Sequence, residues 1–262
     1  MIDKAKGREI MMNYFCIGNG DKNFIMLPGM SIKSIMPSKE AIASAYGIFL
    51  DEYKIYAFDR REDNPDPYSI REMAEDTYQK IKEIGIDKAV VFGASQGGMI
   101  ALCMAIDHPE FVTHLILASS LSRSNEMSRR VLGNWGVLAG QHKAREVDTV
   151  SKKEIYSKEI LDANPALLEH AGEGMTNEEL DRFAVMARSC DKFDVYDELT
   201  KIKCPVFVIG ARNDRVLNVV GSLEIAEKLN CELYIYENHG HGVFDEAPDI
   251  KQRIYDFLKR NP

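Results

Sequence analysis

The chain has 262 residues, of which 45% are hydrophobic and 28% charged, and it carries a formal net charge of −8. These values are ordinary for a soluble globular protein, and the length allows one large α/β domain or such a core with a single insertion. Lysine and arginine form no basic stripe, so neither nucleic acid nor an anionic membrane surface is an expected partner.

The cysteines and the first residues indicate the compartment. The five cysteines form no CxxC pair, which is typical of buried cytosolic thiols rather than of a disulfide framework or a zinc site: Cys16, Cys103, Cys190, Cys204 and Cys231. The opening MIDKAKGREI lacks the apolar core of a signal peptide, and no later apolar run approaches membrane-spanning length. We therefore expect a cytoplasmic protein.

Short apolar runs of the β type recur along the chain. The stretches EIMMNYFCI and NFIMLPG flank GNGD at 18–21 and predict a hairpin there. Further strands are predicted at 53–59, 88–93, 113–120, 205–210 and 232–237.

Longer amphipathic stretches separate these strands. Within 68–85, apolar residues recur at helical spacing up to Gly85, which is placed to end a helix. Further helices are predicted at 95–110, 222–229 and 248–260. Alternation of strands and helices predicts an α/β fold with a mostly parallel sheet and helices on both faces.

The alternation stops between residues 122 and 196, where the patterning is helical and hardly any run is strand-like. N-caps are predicted at SKKE (151–154) and TNEE (176–179), because a small polar residue precedes an acidic one by three positions in each. We interpret 122–196 as a helical cap inserted into a core formed by 1–121 and 197–262.

One stretch, AVVFGASQGGMIALCMA (89–105), runs from a β-type segment through a glycine-flanked serine into a helical pattern. A nucleophile elbow needs this arrangement, because the serine is strained and Gly93 and Gly97 avoid clashes across the sharp turn. The pattern Gly-x-Ser-x-Gly alone is weak, since chance gives it in roughly 7% of such chains. The alternative is an ordinary turn with Ser95 as N-cap, although a cap does not need both glycines.

Six motifs follow one another along the chain: LPGM (27–30), YAFD (56–59), GASQGG (93–98), DHPEFVTHLILASS (107–120), CPVFVIGARNDRV (204–216) and NHGHGVFDEAPD (238–249). Together they resemble the α/β-hydrolase superfamily, in its capped serine-hydrolase and esterase branch. The resemblance spans residues 8 to 260 approximately and implies the α/β-hydrolase fold. No metal cluster or dinucleotide fingerprint accompanies these motifs, so no cofactor is implied.

The family's chain order places an acid after the serine and before the histidine. Asp214 follows the run PVFVIG, where the resemblance places the acid. A turn aspartate is the alternative, since Asn213–Asp214 is good turn chemistry. Some relatives carry the acid after the preceding strand, but here that strand ends LASSLSRSN, without a carboxylate.

Two histidines follow the last predicted strand. Gly240–His241–Gly242, with Glu246 beyond, matches the family motif for the general base. The resemblance therefore assigns the base to His241, and His239 is interpreted as a loop residue with a structural hydrogen bond.

An oxyanion hole requires two backbone N–H groups. The resemblance assigns them to Gln96, directly after the serine, and to Met30. Relatives usually carry His-Gly where this chain has Pro28–Gly29, a departure that affects the packing of the loop.

A second departure is DRREDNPDPYS (59–69), which lacks the usual glycine-rich turn after the aspartate. Arg60 and Arg61 in this segment either contact an anionic substrate or belong to a solvated loop paired with nearby acidic residues. The second interpretation is favoured.

Serine at the elbow disfavours dehalogenase and epoxide-hydrolase chemistry, for which relatives use aspartate. The resemblance implies hydrolysis of a small to medium, partly apolar carboxylic ester, with Ser95 attacking the carbonyl and His241 transferring the proton. Trp135, in VLGNWGVLAG, is a candidate substrate-binding residue. Thioesterase or carbon–carbon bond hydrolase activity, an aminopeptidase with cap carboxylates, and a non-catalytic ligand-binding protein are the alternatives. The expected partner is a small-molecule ester.

Overall fold

The computed structural model describes residues 10–262. Its strands form one sheet: β1 (Tyr14–Ile17), β2 (Lys22–Leu27), β3 (Tyr53–Phe58), β4 (Ala89–Ala94), β5 (Val112–Ala118), β6 (Val206–Ala211) and β7 (Glu232–Tyr236). The strand order is β1-β3-β2-β4-β5-β6-β7, and only the pair of β1 and β3 is antiparallel. The predicted mostly parallel sheet is confirmed.

Helices connect the strands and form the insertion: α1 (Lys39–Ala45), α2 (Ile70–Glu83), α3 (Gln96–Asp107), α4 (Glu126–Gly140), α5 (Ala144–Ile155), α6 (Lys158–Ala163), α7 (Ala166–Glu169), α8 (Asn177–Ser189), α9 (Val219–Leu229), α10 (Val243–Glu246) and α11 (Ile250–Arg260). Short 3₁₀ turns lie at Met36–Ser38, Gly47–Phe49 and Tyr196–Lys201. Between residues 10 and 262, none of the helices combines the length and hydropathy needed to cross a bilayer.

Successive side chains of a strand point to opposite faces of the sheet, so each strand contributes side chains to both faces. Both sets of side chains are buried. On one face, residues such as Ile25 and Val91 pack with α2, α3, α9 and the helices of the insertion. On the other face, Phe24 and Phe92 pack with α11 and with Tyr46 at the end of α1. The predicted helices on both faces are therefore confirmed.

The predicted hairpin at GNGD is wrong. β1 and β2 do not pair, because β3 lies between them and bonds to both. The loop instead packs against the start of β3: the Asn19 N–H donates to the Leu50 carbonyl at 2.9 Å. A Cβ on Gly20 would lie 1.8 Å from the Glu52 carbonyl carbon, so glycine is required here for a close approach and not for a tight hairpin. Glu9, the first residue of the predicted first strand run, lies outside the described residues.

Of the two predicted N-caps, one is observed. Thr176 caps α8 and forms a reciprocal capping box with Glu179. Ser151 instead lies inside α5, and its hydroxyl donates to the Asp148 carbonyl. The pattern misled because the apolar residues of α5 continue its helical spacing on both sides of Ser151.

Helices α4 to α8 lie between β5 and β6 in the chain. The segment leaves and rejoins the sheet at neighbouring points, since the Ser124 N–H donates to the Phe193 carbonyl and the Val195 N–H to the Ser122 carbonyl, both at 2.8 Å. The division into a core of 1–121 and 197–262 and a cap of 122–196 stays a prediction, and residues 1–9 of that core lie outside the described residues.

The α3 helix packs closely on the end of β2 through Gly97. A Cβ on Gly97 would lie 2.1 Å from the Leu27 carbonyl oxygen and 2.5 Å from that of Pro28. Because both neighbours are backbone atoms, no side-chain rotation can relieve the overlap. Gly133 is different, since it is exposed in the middle of α4 and its Cβ would meet nothing within 4 Å.

Gly97→Ala is expected to lower the free energy of unfolding by about 1–3 kcal/mol, because α3 must shift away from β2. At roughly 2–4 °C per kcal/mol for a chain of this size, its melting temperature falls by several degrees. Gly133→Ala is the matched control and should stabilise the protein by up to about 1 kcal/mol through helix propensity. Thermal unfolding followed by circular dichroism measures both. A Gly97→Ala protein that melts at or above the parent would contradict this packing.

Candidate active site

Ser95 lies at the junction of β4 and α3 in a strained backbone conformation, with φ 53° and ψ −122°. Two hydrogen bonds of 2.9 Å hold it there: its N–H donates to the Ala118 carbonyl of β5, and the Ser120 hydroxyl donates to its carbonyl. Its side chain makes no cap hydrogen bond to residues 96–107 of α3. The N-cap interpretation therefore does not explain this serine.

The other elbow glycines allow the sharp turn. A Cβ on Gly93 would lie 2.4 Å from the Gly97 carbonyl oxygen, and one on Gly98 would lie 2.5 Å from the Ser120 hydroxyl oxygen. A larger residue at 93 would push β4 away from α3, and one at 98 would push α3 away from Ser120. Either shift would turn the Ser95 side chain.

Ser95, His241 and Asp214 are brought together from three loops at the carboxyl ends of β4, β6 and β7. The Ser95 hydroxyl lies 2.9 Å from His241 Nε2, and His241 Nδ1 lies 2.9 Å from Asp214 Oδ2. His241 is 2% exposed and Asp214 is 6% exposed, so water is largely kept from both links.

The Asp214 carboxylate is fixed from both sides. Its Oδ1 accepts the backbone N–H groups of Val216 and Leu217 at 2.8 and 2.9 Å, while Oδ2 faces His241. Burial opposes ionisation, but the charge of His241 and these hydrogen bonds outweigh it and hold the pKa of Asp214 below its usual range. An ionised Asp214 accepts from Nδ1–H, which leaves Nε2 free to accept the Ser95 proton.

His239 occupies a different place in the same loop. Its carbonyl accepts the Asn213 N–H at 3.1 Å, and its ring packs 5.1 Å from the ring of Tyr236. Within residues 10–262, its ring has no hydrogen bond to Ser95 or Asp214. The hydrogen bond that His239 makes in this loop is therefore formed by its backbone carbonyl and not by its ring.

Met30 and Gln96 both border Ser95. Gln96 is its chain neighbour, and Met30 follows Gly29, whose Cβ would lie 3.3 Å from the Ser95 Cβ. The Gln96 side chain is buried and extends toward α8, where its Nε2 donates to the Met186 carbonyl at 2.9 Å. The elbow is thus tied to the inserted helices through a side chain for which the sequence predicted only a backbone role.

The two adjacent arginines behave differently. Arg61 forms ion pairs with Asp63 at 2.9 Å and with Asp76 at 2.7 Å, in keeping with the favoured ion-paired loop. Arg60 instead donates to the Pro28 carbonyl at 2.7 Å. Burial lowers its pKa to about 10. This contact braces the loop that carries Met30 and is not a solvated ion pair.

A cavity of about 620 Å³ opens beside the serine. Gly29 and Ala94, which neighbour Ser95, line the cavity, whereas Ser95 and His241 are not among its lining residues. Trp135 lines it as well, with its ring 6.4 Å from that of Phe183 and its indole N–H donating to Glu154 at 2.6 Å. Trp135 is therefore placed where a substrate-binding residue could act.

Four polar residues of the cavity wall were not singled out by the sequence as binding residues: Tyr46, Tyr156, Asp245 and Lys251. They come from four separate elements, and only Asp245 lies within one of the sequence motifs, so the fold brings them together. Among residues 10–262, no group of three or more metal-ligating side chains is arranged to hold a metal ion.

The end of α5 contacts the loops of both Asp214 and His241. The Gly242 N–H donates to the Ile155 carbonyl at 2.8 Å, and Arg215 donates to the carbonyls of Lys153 and Tyr156 at 2.7 and 3.1 Å. The inserted helices thus help to fix the loops that hold the acid and the histidine.

Comparison with known proteins supports the α/β-hydrolase fold. A family model described as alpha/beta hydrolase fold matches residues 40–140. A "Putative carbamate hydrolase RutD" of Caulobacter sp. (strain K31) is 26% identical over 85% of this chain and 84% of its own. The 3-oxoadipate enol-lactonase 2 of Acinetobacter baylyi is 20% identical over 87% of this chain and 85% of its own.

Among solved structures, the enol-lactonase from Burkholderia xenovorans LB400 superposes with a TM-score of 0.83 at 16% identity, covering 95% of this chain and 96% of that one. The likeness covers nearly the whole of both chains. The chain therefore has the α/β-hydrolase fold.

Proposed function

We propose that the protein hydrolyses a carboxylic ester of a small to medium, partly apolar substrate through an acyl-enzyme. The observation that carries the proposal is the pair of 2.9 Å hydrogen bonds linking Asp214 to His241 and His241 to Ser95, at the edge of a cavity. A strained serine without a capping role, joined to a buried histidine and a carboxylate, is the arrangement that activates a nucleophile.

The mechanism follows from these atoms. Ser95 Oγ attacks the substrate carbonyl while His241 Nε2 takes its proton, and Asp214 stabilises the imidazolium that forms. The backbone N–H groups of Met30 and Gln96 stabilise the oxyanion, and His241 then protonates the leaving alcohol. Water, deprotonated by His241, attacks the acyl-enzyme; the tetrahedral intermediate then breaks its bond to Ser95 Oγ, which takes the proton back from His241 as the acid is released.

Carbamate cleavage is a second candidate, because the relative from Caulobacter carries that activity in its name. The ester reading is supported by the relative named enol-lactonase, since a lactone is a cyclic ester. Both substrates present a carbonyl carbon with an oxygen leaving group, and thioesters or a carbon–carbon bond beside a carbonyl allow the same steps. A panel of matched esters, thioesters and carbamates, assayed as kcat/KM, ranks these possibilities.

Ser95→Ala is expected to fold normally and to lose turnover of a p-nitrophenyl ester by a factor on the order of 10⁶, because the nucleophile is absent. A fluorophosphonate probe should label the parent but not this variant, as read by intact-mass spectrometry. Ser44→Ala is the matched control, since Ser44 is exposed in α1 and does not line the cavity. Turnover of Ser95→Ala within tenfold of the parent would contradict the assignment.

His241→Ala should abolish turnover, because no other group lies within hydrogen-bonding distance of Ser95 Oγ among the described residues. His239→Ala should retain most of it, since the contact of His239 with Asn213 uses a backbone carbonyl that alanine keeps. Steady-state kinetics on one ester compares the two variants. If His239→Ala had no turnover while His241→Ala stayed active, the base would be His239.

Asp214→Asn should lower kcat by a factor on the order of 10⁴, because an amide favours the wrong imidazole tautomer while keeping the shape of the loop. Rate measurements at saturating ester, with circular dichroism to check folding, test this expectation. Asp245, another carboxylate close to this loop, provides the comparison. If Asp245→Asn lost kcat to that extent while Asp214→Asn was nearly unchanged, the acid would be Asp245.

A further inference from the structure

One end of the cavity carries a group of polar side chains that we name the polar cluster: Tyr46, Tyr156, Asp245 and Lys251. They come from the ends of α1 and α5, from α10 and from α11. Most of the remaining cavity wall is apolar. A polar group of a ligand in this cavity therefore finds its partners mainly in this cluster.

Asp245 is the central residue of the cluster. Its side chain is exposed to the cavity, and among residues 10–262 its carboxylate has neither a hydrogen bond nor an ion pair. The surrounding protein removes enough solvent to raise its pKa, although the charge of Lys251 opposes this effect. A carboxylate in such surroundings gains stability from any ligand group that donates a hydrogen bond to it.

The other three members supply donors. Lys251 donates to the Phe244 carbonyl at 2.9 Å, and an ammonium group has three donors, so two stay available. The hydroxyls of Tyr46 and Tyr156 have no hydrogen bond to another described residue. Burial and the charge of Asp245 raise the pKa of both tyrosines, that of Tyr156 to about 12, so both stay neutral donors.

The other charged residues of the cavity wall are already paired. Lys33 lies 2.7 Å from Glu179, and Lys152 lies 2.6 Å from Asp148. The free hydrogen-bonding capacity among the charged lining residues is thus concentrated at the polar cluster. The polar cluster thus differs from the other charged residues of the cavity wall in having unpaired hydrogen-bonding groups.

We infer that the polar cluster binds a neutral group of the substrate that both donates and accepts hydrogen bonds, such as a hydroxyl or a carboxamide. Asp245 accepts from this group, while Lys251 and the tyrosines donate to it. The opposite charges of Asp245 and Lys251 disfavour a charged ligand, because a carboxylate meets Asp245 and an ammonium meets Lys251. The inference rests on the proposed function, which places the scissile carbonyl at Ser95.

The cluster lies near the reacting atoms. Asp245 follows His241 by four residues, and the ring of its chain neighbour Phe244 lies 6.0 Å from the His241 ring. A short apolar linker passing Phe244 therefore connects the scissile carbonyl to the neutral group. This geometry describes an ester whose chain is apolar in the middle and polar at its end.

Straight-chain alkylboronic acids test the inference, because boron forms a tetrahedral adduct with a nucleophilic serine and resembles the transition state. A series of increasing length ends in methyl, hydroxyl, carboxamide, carboxylate or ammonium, and isothermal titration calorimetry measures each dissociation constant. At the length that reaches the cluster, the hydroxyl or carboxamide compound should bind about tenfold more tightly than its methyl counterpart. Both charged compounds should bind more weakly than the neutral polar ones.

Variants assign the preference to the cluster. In Asp245→Leu, the ratio of hydroxyl to methyl affinity should fall to within about twofold, since one charged partner is lost. Lys251→Met should reduce the same ratio independently. Asp256→Leu is the matched control, because Asp256 is exposed on α11 and, among residues 10–262, bonds only to Gln252, and the ratio should stay at the parent value.

The outcomes separate the inference from the proposed function. Boronic acids that bind with equal affinity whatever their end group, or that favour a charged end, overturn the inference and leave the acyl-enzyme proposal intact. A preference that survives unchanged in both Asp245→Leu and Lys251→Met also overturns it. If no boronic acid binds and fluorophosphonate does not label Ser95, the proposed function fails and the inference fails with it.

Discussion

The close contact between β4, α3 and the end of β2 is the constraint on which the site depends. Ser95 keeps its strained conformation because Gly93 and Gly97 let three backbone segments approach to distances that no Cβ could tolerate. That conformation aims the hydroxyl at His241 and leaves the N–H of Gln96 beside it. The strain is maintained by hydrogen bonds from neighbouring segments, so the stability of the sheet supports a locally unfavourable serine.

The inserted helices hold the other side of the site. The end of α5 bonds to the loops that carry Asp214 and His241, and α8 accepts the Gln96 side chain. The segment that shapes the cavity therefore also positions the loops that carry the reacting groups. A substrate that displaces α5 would disturb both loops, whereas one that fits beneath it leaves the link between His241 and Ser95 intact.

The strands could be predicted because each is a short, mainly apolar run bounded by turn residues. The elbow could be predicted because its glycines are sterically required. The hairpin could not, since the sequence around GNGD describes a turn but not which strand becomes its neighbour, and β3 takes that place. Ser151 resembled a cap because the spacing of SKKE matches a capping box, whereas apolar residues on both sides of Ser151 continue α5 through it. The polar cluster lay beyond sequence reasoning, because nothing in the local spacing of Tyr46 and Asp245 links them across the cavity.

The chemistry proposed for Ser95 needs three side chains and two N–H groups, and esters, thioesters and carbamates would all satisfy it. Selectivity among them must come from binding that differs between substrates in the transition state. In this chain two members of the polar cluster, Asp245 and Lys251, lie on α10 and α11, directly after the loop of His241. A ligand held by Asp245 would contact the short helix that follows His241. Under the proposed function, binding of the distant group and orientation of His241 would depend on the same short segment, so a substrate without that group would lose positioning at the carbonyl as well as affinity.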